Sequence, residues 1–335
     1  MIETLSSQKL ATVEKLLCGA TEAAAKAATP FIGRMDKNGA DQAAVNAFHE
    51  VLDRNTVITC TVVMGEGDKD NAPMLAHGDV LGQNRHRNFD LAVDPIDGTT
   101  FVAKGSAGAI AVAALASPGS FMKWSDIPYM KKLVVGPNAS SLMESGSVSL
   151  DKEPFDNMLR IACKLGKTPN ELVIAVLERP RNQKIIDSAR KIGAKLILLS
   201  GGDIVPAILT SYETDDHIID MLYSSGGAPE AVLAAAGVAL MRGNMQAMWD
   251  PQTKAEINKV RDMEHTGKVF GLKDLVGTNE LHFAMTSITG YQDLGVGRSA
   301  QFAETFKPGK TFYGYRDNDL RYLYPSKKSL VSNQS

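Results

Sequence analysis

The run Asp94-Pro95-Ile96-Asp97-Gly98-Thr99-Thr100 holds residue types that together can do phosphate chemistry. Its two carboxylates lie three residues apart, and the proline between them stiffens the link. Both acids, with the intervening Ile96 carbonyl, can converge on shared cations. Oxygen donors of this kind favour hard ions such as magnesium or manganese. Gly98 lets the chain turn tightly. The N–H groups of Gly98 and Thr99 then open a helix or turn and can meet phosphate oxygens. The Thr99 hydroxyl can orient or deprotonate an attacking water through a carboxylate partner. Two further acids belong to the pattern: Glu66, in Gly65-Glu66-Gly67 after a β-branched run, and Asp41, at the start of a predicted helix. Cations held there would neutralise a phosphate ester, polarise its phosphoryl oxygen and make water more acidic. Alone, Gly-Glu-Gly is usually a turn and an aspartate before a helix is usually an N-cap. Turn chemistry accounts only for Pro95 and Gly98 of the longer run.

These acids need elements to aim them. Val57–Met64 and Phe89–Val93 read as strands, and Ala107–Ala116 as a strand or buried helix. Ala11–Thr29 reads as a helix that Pro30 ends. Asp41–Asp53 reads as a second, with Val45, Phe48 and Leu52 at helical spacing. Residues 71–88 read as a polar, irregular loop. From Leu172 the chain alternates. Strands Leu172–Leu177, Lys195–Leu199 and His217–Tyr223 are interleaved with helices Asn182–Ile192, Ile204–Ser211 and Pro229–Arg242. That order predicts a parallel sheet. A composition shift predicts two domains, 1–150 carrying the metal-binding acids and 151–335 an α/β substrate-binding domain. The glycine- and aromatic-containing tail from Phe283 is not assigned to elements.

Ligands of an open parallel sheet bind beyond the carboxyl ends of its strands. Arg179-Pro180-Arg181, Gly201-Gly202-Asp203 and Ser224–Glu230 each follow a predicted strand, so they share one rim. Arginine forks match phosphate geometry. Taken singly, these arginines are solvated strand ends, Asp203 an N-cap and Glu230 a first-turn acid; their common rim favours a phosphorylated polyol.

Composition bounds the function. A chain of 335 residues suits about two domains, and a net charge of −2 argues against nucleic-acid binding. The spacing of Cys18, Cys60 and Cys163 offers no CxxC zinc site or disulfide framework, which suits reduced thiols. The first residues do not read as a secretory signal, and no apolar run is long enough for a membrane span. A cytoplasmic protein, working as a homo-oligomer (dimer or tetramer), is expected.

The acid followed by Asp-Pro-x-Asp-Gly-Thr resembles the inositol-monophosphatase-like, lithium-sensitive phosphatases. The rest resembles class II fructose-1,6-bisphosphatases, through Asp36-Lys37-Asn38, Gly65-Glu66-Gly67, Tyr129-Met130-Lys131-Lys132-Leu133, Arg179-Pro180-Arg181, Gly202-Asp203 and Gly226-Gly227-Ala228-Pro229-Glu230. The resemblance implies a layered α/β/α fold of two domains with the active site between them. It implies magnesium or manganese on Asp41, Glu66, Asp94, Asp97 and Glu230, helped by the Ile96 carbonyl. Thr99, acting with Asp41 and Glu66, resembles the group that activates water. Lys37, Asp97, Gly98 and Thr99 look like contacts to the reacting phosphate. Tyr129, Arg179 and Arg181 look like contacts to a second phosphate, and Asp203, Gly226 and Gly227 like contacts to the sugar. The activity implied is hydrolysis of the 1-phosphate of fructose 1,6-bisphosphate, a gluconeogenic step. Sedoheptulose 1,7-bisphosphate, inositol monophosphate and a nucleotide 3′-phosphate are alternative substrates. Three positions depart from the family pattern: Met35 and Gly201 replace a common glycine and acid, and Arg179 replaces a lysine. Two other classes compete: a non-catalytic sugar-phosphate binder, which would need no such set of acids, and a redox domain built on Gly295-Val296-Gly297-Arg298-Ser299-Ala300. The latter is one residue short of a dinucleotide fingerprint.

Overall fold

The computed structural model describes residues 2–65, 74–84, 88–123, 127–212, 219–262, 267–291, 307–317 and 320–324. Glu66 and the Gly295–Ala300 stretch lie outside the described residues. The strands, along the chain, are β1 Thr59–Met64, β2 Val80–Leu81, β3 Asn88–Asp97, β4 Ile110–Ala116, β5 Tyr129–Val135, β6 Val173–Leu177, β7 Lys195–Leu199, β8 Met221–Gly227, β9 Asn244–Trp249, β10 Phe270–Gly271, β11 Glu280–Ser287, β12 Thr311–Asp317 and β13 Leu320–Tyr324. They form two sheets in an α/β chain that divides into two compact units, residues 1–121 with 278–335, and 122–277. The break expected near residue 150 falls inside the second unit. The physical reason is pairing: β5, before that point, hydrogen-bonds to β8 and β9 beyond it. The unassigned tail returns to the first unit, where β11 pairs with β4 and β12.

The first sheet runs β13-β12-β11-β4-β3-β1-β2. Among the described residues, β1 and β3 alone pair in parallel there. Helices α1 (Ile2–Ala28) and α2 (Lys37–Asp53) pack with its residues in one core. Val13, Leu17, Ala20, Ala24 and Ala28 form the buried stripe of α1, at the spacing of one helical face. Alanines in that stripe let α2 approach closely, with Ala44, Phe48 and Leu52 inward. A third, short helix, α3 (Thr99–Lys104), follows β3 directly.

The second sheet runs β10-β9-β5-β8-β6-β7. It is mixed, not parallel throughout: β7, β6 and β8 are parallel, whereas β5, β9 and β10 pair antiparallel. The alternating segment from Leu172 supplies only the parallel half. Helices of this unit are α4 Ser140–Glu144, α5 Pro154–Lys164, α6 Gln183–Lys191, α7 Ile204–Ser211, α8 Ala228–Leu240, α9 Lys254–Asp262 and α10 Leu272–Leu275. Leu133, Val135, Ile174 and Val176 share a core with α5 and α6. Their neighbours along the strands point to the other face, toward the starts of α7 and α8.

Candidate active site

The sequence-predicted residues fall in two groups, one in each unit. In the first unit, β3 does not stop at Val93 as the sequence suggested but continues through Asp97. Proline is ordinarily excluded from a central strand because it cannot donate to the ladder. Here β1 pairs no further than Ala92, and the register with β4 shifts between Asp94 and Asp97. Pro95 sits in that irregularity, where bulges re-aim side chains. The Asp94 carboxylate bends back to accept from the Ile96 N–H at 3.0 Å, and the Thr99 hydroxyl donates to the Ile96 carbonyl at 3.4 Å. Asp97 is buried.

Gly98 makes the turn from β3 into α3 with φ +95°, a left-handed conformation. A Cβ at this position would lie 2.6 Å from the Phe101 ring, so glycine is required for space as well as for torsion. The Phe101 N–H donates to the Gly98 carbonyl at 2.8 Å, starting the helix that Thr99 opens.

Asp41 is not the N-cap of its helix. That place belongs to Asp36, which accepts from the Gly39 N–H at 2.8 Å, so Lys37 opens α2 and Asp41 lies one turn inside. Sequence alone set the start too late because the capping aspartate lies upstream of an unpromising Asn-Gly pair. The loop before the cap is tied to α3: the Gly33 and Met35 N–H groups donate to the Val102 and Ala103 carbonyls, at 2.9 and 2.8 Å. These bonds fix the entry of the Asp41 helix against the Thr99 helix.

The donor set fits a hard divalent cation. Every candidate ligand is a carboxylate or a carbonyl, and oxygens of Asp41 and Asp97 are shut off from solvent. Among the described residues no three acidic, histidine or cysteine side chains cluster closely enough to hold a metal by themselves.

In the second unit, the carboxyl ends of β6, β7 and β8 share one rim. The amino end of β5 joins them, with Tyr129 paired to Gly227. The rim separates the two arginines. Arg181 lies over the Tyr129 ring, 4.1 Å from its centroid, while its Nε donates to the Ser225 carbonyl at 3.0 Å. Arg179 turns the other way and donates to the Ser200 and Glu178 carbonyls, at 2.5 and 2.8 Å. Buried Asn182 holds the Arg181 turn: its Nδ2 donates to Leu177 and Ser225 carbonyls, and its Oδ1 accepts from the Ser225 N–H. Ser225 in turn donates through its hydroxyl to Asp250 at 2.6 Å. Asp203 stands at the start of α7 without capping it; its carboxylate accepts from Lys132 at 2.7 Å. Glu230 lies in the first turn of α8, folded over Gly227.

Lys132, Asn182 and Asp250 were not among the site residues read from the sequence. Lys132 left one trace there: with Lys131 it lies between Met130 and the apolar run Leu133-Val134-Val135.

The profile described as "Bacterial fructose-1,6-bisphosphatase, glpX-encoded" matches residues 12–306. The chain belongs to that family. Similar curated proteins include "Fructose-1,6-bisphosphatase class 2" of Haemophilus influenzae, 38% identical over 301 residues, covering 85% of this chain and 87% of that protein. "Fructose-1,6-bisphosphatase 1 class 2" of Escherichia coli K12 and "Fructose-1,6-bisphosphatase class 2" of Shigella flexneri are each 37% identical over 300 residues, with 85% and 87% coverage. The glpX-encoded fructose-1,6-bisphosphatase pattern also explains a departure noted above. Met35 has φ +59°, a left-handed backbone that suits the family's glycine, and its side chain is 70% exposed. The departure at Gly201 leaves Asp203 as the acid of its loop, and that acid is engaged by Lys132.

Proposed function

We propose that this chain hydrolyses the 1-phosphate of fructose 1,6-bisphosphate, releasing fructose 6-phosphate and phosphate. The observation that carries this reading is the family match over residues 12–306, which spans every proposed site residue from Lys37 to Glu230. The enzyme is a phosphatase of carbohydrate metabolism, and its family is metal-dependent. Magnesium or manganese is the proposed ion, held by Asp41, Glu66, Asp94, Asp97 and Glu230 with the Ile96 carbonyl. When bound, the ion neutralises phosphate charge and makes water more acidic.

The chain's own groups do the rest. The N–H groups of Gly98 and Thr99, with Lys37, hold the reacting phosphate. The Thr99 hydroxyl orients the attacking water, and Asp41 with Glu66 receives its proton. Tyr129 and Arg181 hold the second phosphate, supported by their stacked geometry. Arg179 adds charge at the same strand end, and Asp203, Gly226 and Gly227 shape the sugar pocket. No helix among the described residues is long and apolar enough to cross a membrane. The free thiols of Cys18, Cys60 and Cys163 suit the reducing cytoplasm proposed for it. A homo-oligomer is proposed as the working form.

The test is phosphate release from fructose 1,6-bisphosphate by chelator-stripped protein, with magnesium or manganese restored and inositol monophosphate run in parallel. Metal-dependent turnover of the sugar bisphosphate alone is expected. Turnover of only the inositol ester would discard the assignment of Tyr129 and Arg181.

A further inference from the structure

Lys132 has no exposed side-chain surface, and lysine is almost never fully buried without a reason. It lies in the middle of β5, on the face opposite the core shared by Leu133 and Val135. Its ammonium donates to the Asp203 carboxylate at 2.7 Å and to the Gly227 carbonyl at 3.1 Å. Those two partners begin α7 and α8, so one buried cation ties together both helix starts.

The junction of β8 and α8 that it holds is tight. A Cβ at Gly226 would lie 2.5 Å from Asp203 Oδ2 and 3.0 Å from Lys132 Nζ. At Gly227 the space beside the backbone is filled by the Glu230 carboxylate. Two carboxylate oxygens beside this junction, Asp203 Oδ2 and Glu230 Oε2, are buried and accept no hydrogen bond among the described residues. Stability does not explain such an arrangement. Replacing a buried ion pair by apolar side chains of similar volume is often neutral or stabilising. Asn182 already secures the preceding residues of β8 without any charge.

We infer that Lys132 is a positioning residue that presets Glu230 for the divalent cation, by locking the junction of β8 and α8 at Gly226–Gly227 through Asp203 and the Gly227 carbonyl. This rests on the proposed metal-dependent hydrolysis and adds to it a residue that touches neither metal nor substrate. Groups that orient a metal's ligands typically change its affinity about 10- to 100-fold when removed.

The experiment compares wild type, Lys132→Met, the apolar pair Lys132→Met with Asp203→Leu, and Glu230→Gln. Manganese binding is measured by calorimetry on chelator-stripped protein, with circular dichroism to verify folding. The single Lys132 variant leaves an unpaired buried carboxylate and can fail to fold, and the apolar pair removes that problem. The folded apolar pair is expected to bind manganese at least about 10-fold more weakly at the site that Glu230→Gln also weakens. The manganese concentration for half-maximal activity should rise in parallel. Wild-type manganese affinity in the apolar pair would overturn the inference and leave the proposed activity standing. A wild-type protein that binds no manganese or magnesium would overturn the metal reading and the inference with it.

Discussion

Replacing Thr99 by alanine separates a catalytic hydroxyl from a structural one. Among the described residues the hydroxyl makes one hydrogen bond, to the Ile96 carbonyl at 3.4 Å, at the long limit of such a bond. Thr99 is half-buried, and the bond is neutral. Its loss should cost at most about 1 kcal/mol, the net worth of an ordinary hydrogen bond. For a unit of this size that is roughly 2–4 °C in melting temperature. If the hydroxyl orients the attacking water, activity should respond on another scale. Positioned acid–base groups contribute about 10²- to 10⁴-fold, or roughly 2.7–5.4 kcal/mol of barrier. Thr99→Ala should therefore melt within about 4 °C of wild type yet lose kcat by at least about 100-fold, with KM little changed. Thr99→Ser keeps the oxygen and should retain most of kcat. The assay is initial-rate phosphate release at saturating metal, beside a thermal melt. A Thr99→Ala enzyme within threefold (about 0.6 kcal/mol) of wild-type kcat would refute the role. So would a serine variant as slow as the alanine one.

Four further outcomes are expected. Gly98→Ala must place a Cβ 2.6 Å from Phe101 in a left-handed turn, at about 1–2 kcal/mol for torsion and about 1–3 kcal/mol for overpacking; its melt should fall by several degrees and its kcat by more than stability alone predicts. Tyr129→Leu removes the platform under Arg181, a contact worth about 0.5–2 kcal/mol, so KM for the sugar bisphosphate should rise roughly 2- to 30-fold; an unchanged KM counts against the second-phosphate site. Met35→Gly relieves a left-handed penalty of about 1–2 kcal/mol, partly offset by about 0.5–1 kcal/mol of glycine entropy, and should leave the melt equal or slightly higher. Burial pushes the Cys60 and Cys18 thiols up to about 12, so in native protein at pH 8 a thiol reagent should label exposed Cys163 first and reach the other two only on unfolding.

Some of this structure is legible in the sequence because its cause is local. Lys195–Leu199 and Ile204–Ser211 form the predicted strand and helix, since a short β-branched and aliphatic run and an apolar helix after an aspartate carry their own signals. The turn at Gly98 is legible because only glycine tolerates it. Other features depend on distant partners. Pro95 argues against a strand until the ladder partners of β3 are known. The burial of Lys132 depends on Asp203, 71 residues away. The opposed directions of Arg179 and Arg181 depend on which carbonyls the neighbouring strands offer. The parallel half of the second sheet follows from its alternating helices, whereas β5 and β9 reach it from segments with no such rhythm.

The return of the chain to its first sheet has a consequence during synthesis. β4 leaves the ribosome with β3 on one side, and its other neighbour, β11, begins only at Glu280. The second unit is continuous in sequence and has its own sheet, so it can complete itself in the interval. At translation rates of about 5–20 residues per second, β4 keeps an open edge for roughly 8–30 s. That edge consists of Ile110-Ala111-Val112-Ala113-Ala114-Leu115-Ala116, uncharged and wholly apolar, the kind of strand that pairs with other chains when left uncovered. Expression of chains truncated before β11 should therefore yield inclusion bodies rather than a smaller folded protein, and nascent full-length chains should depend on chaperone cover until their last strands arrive.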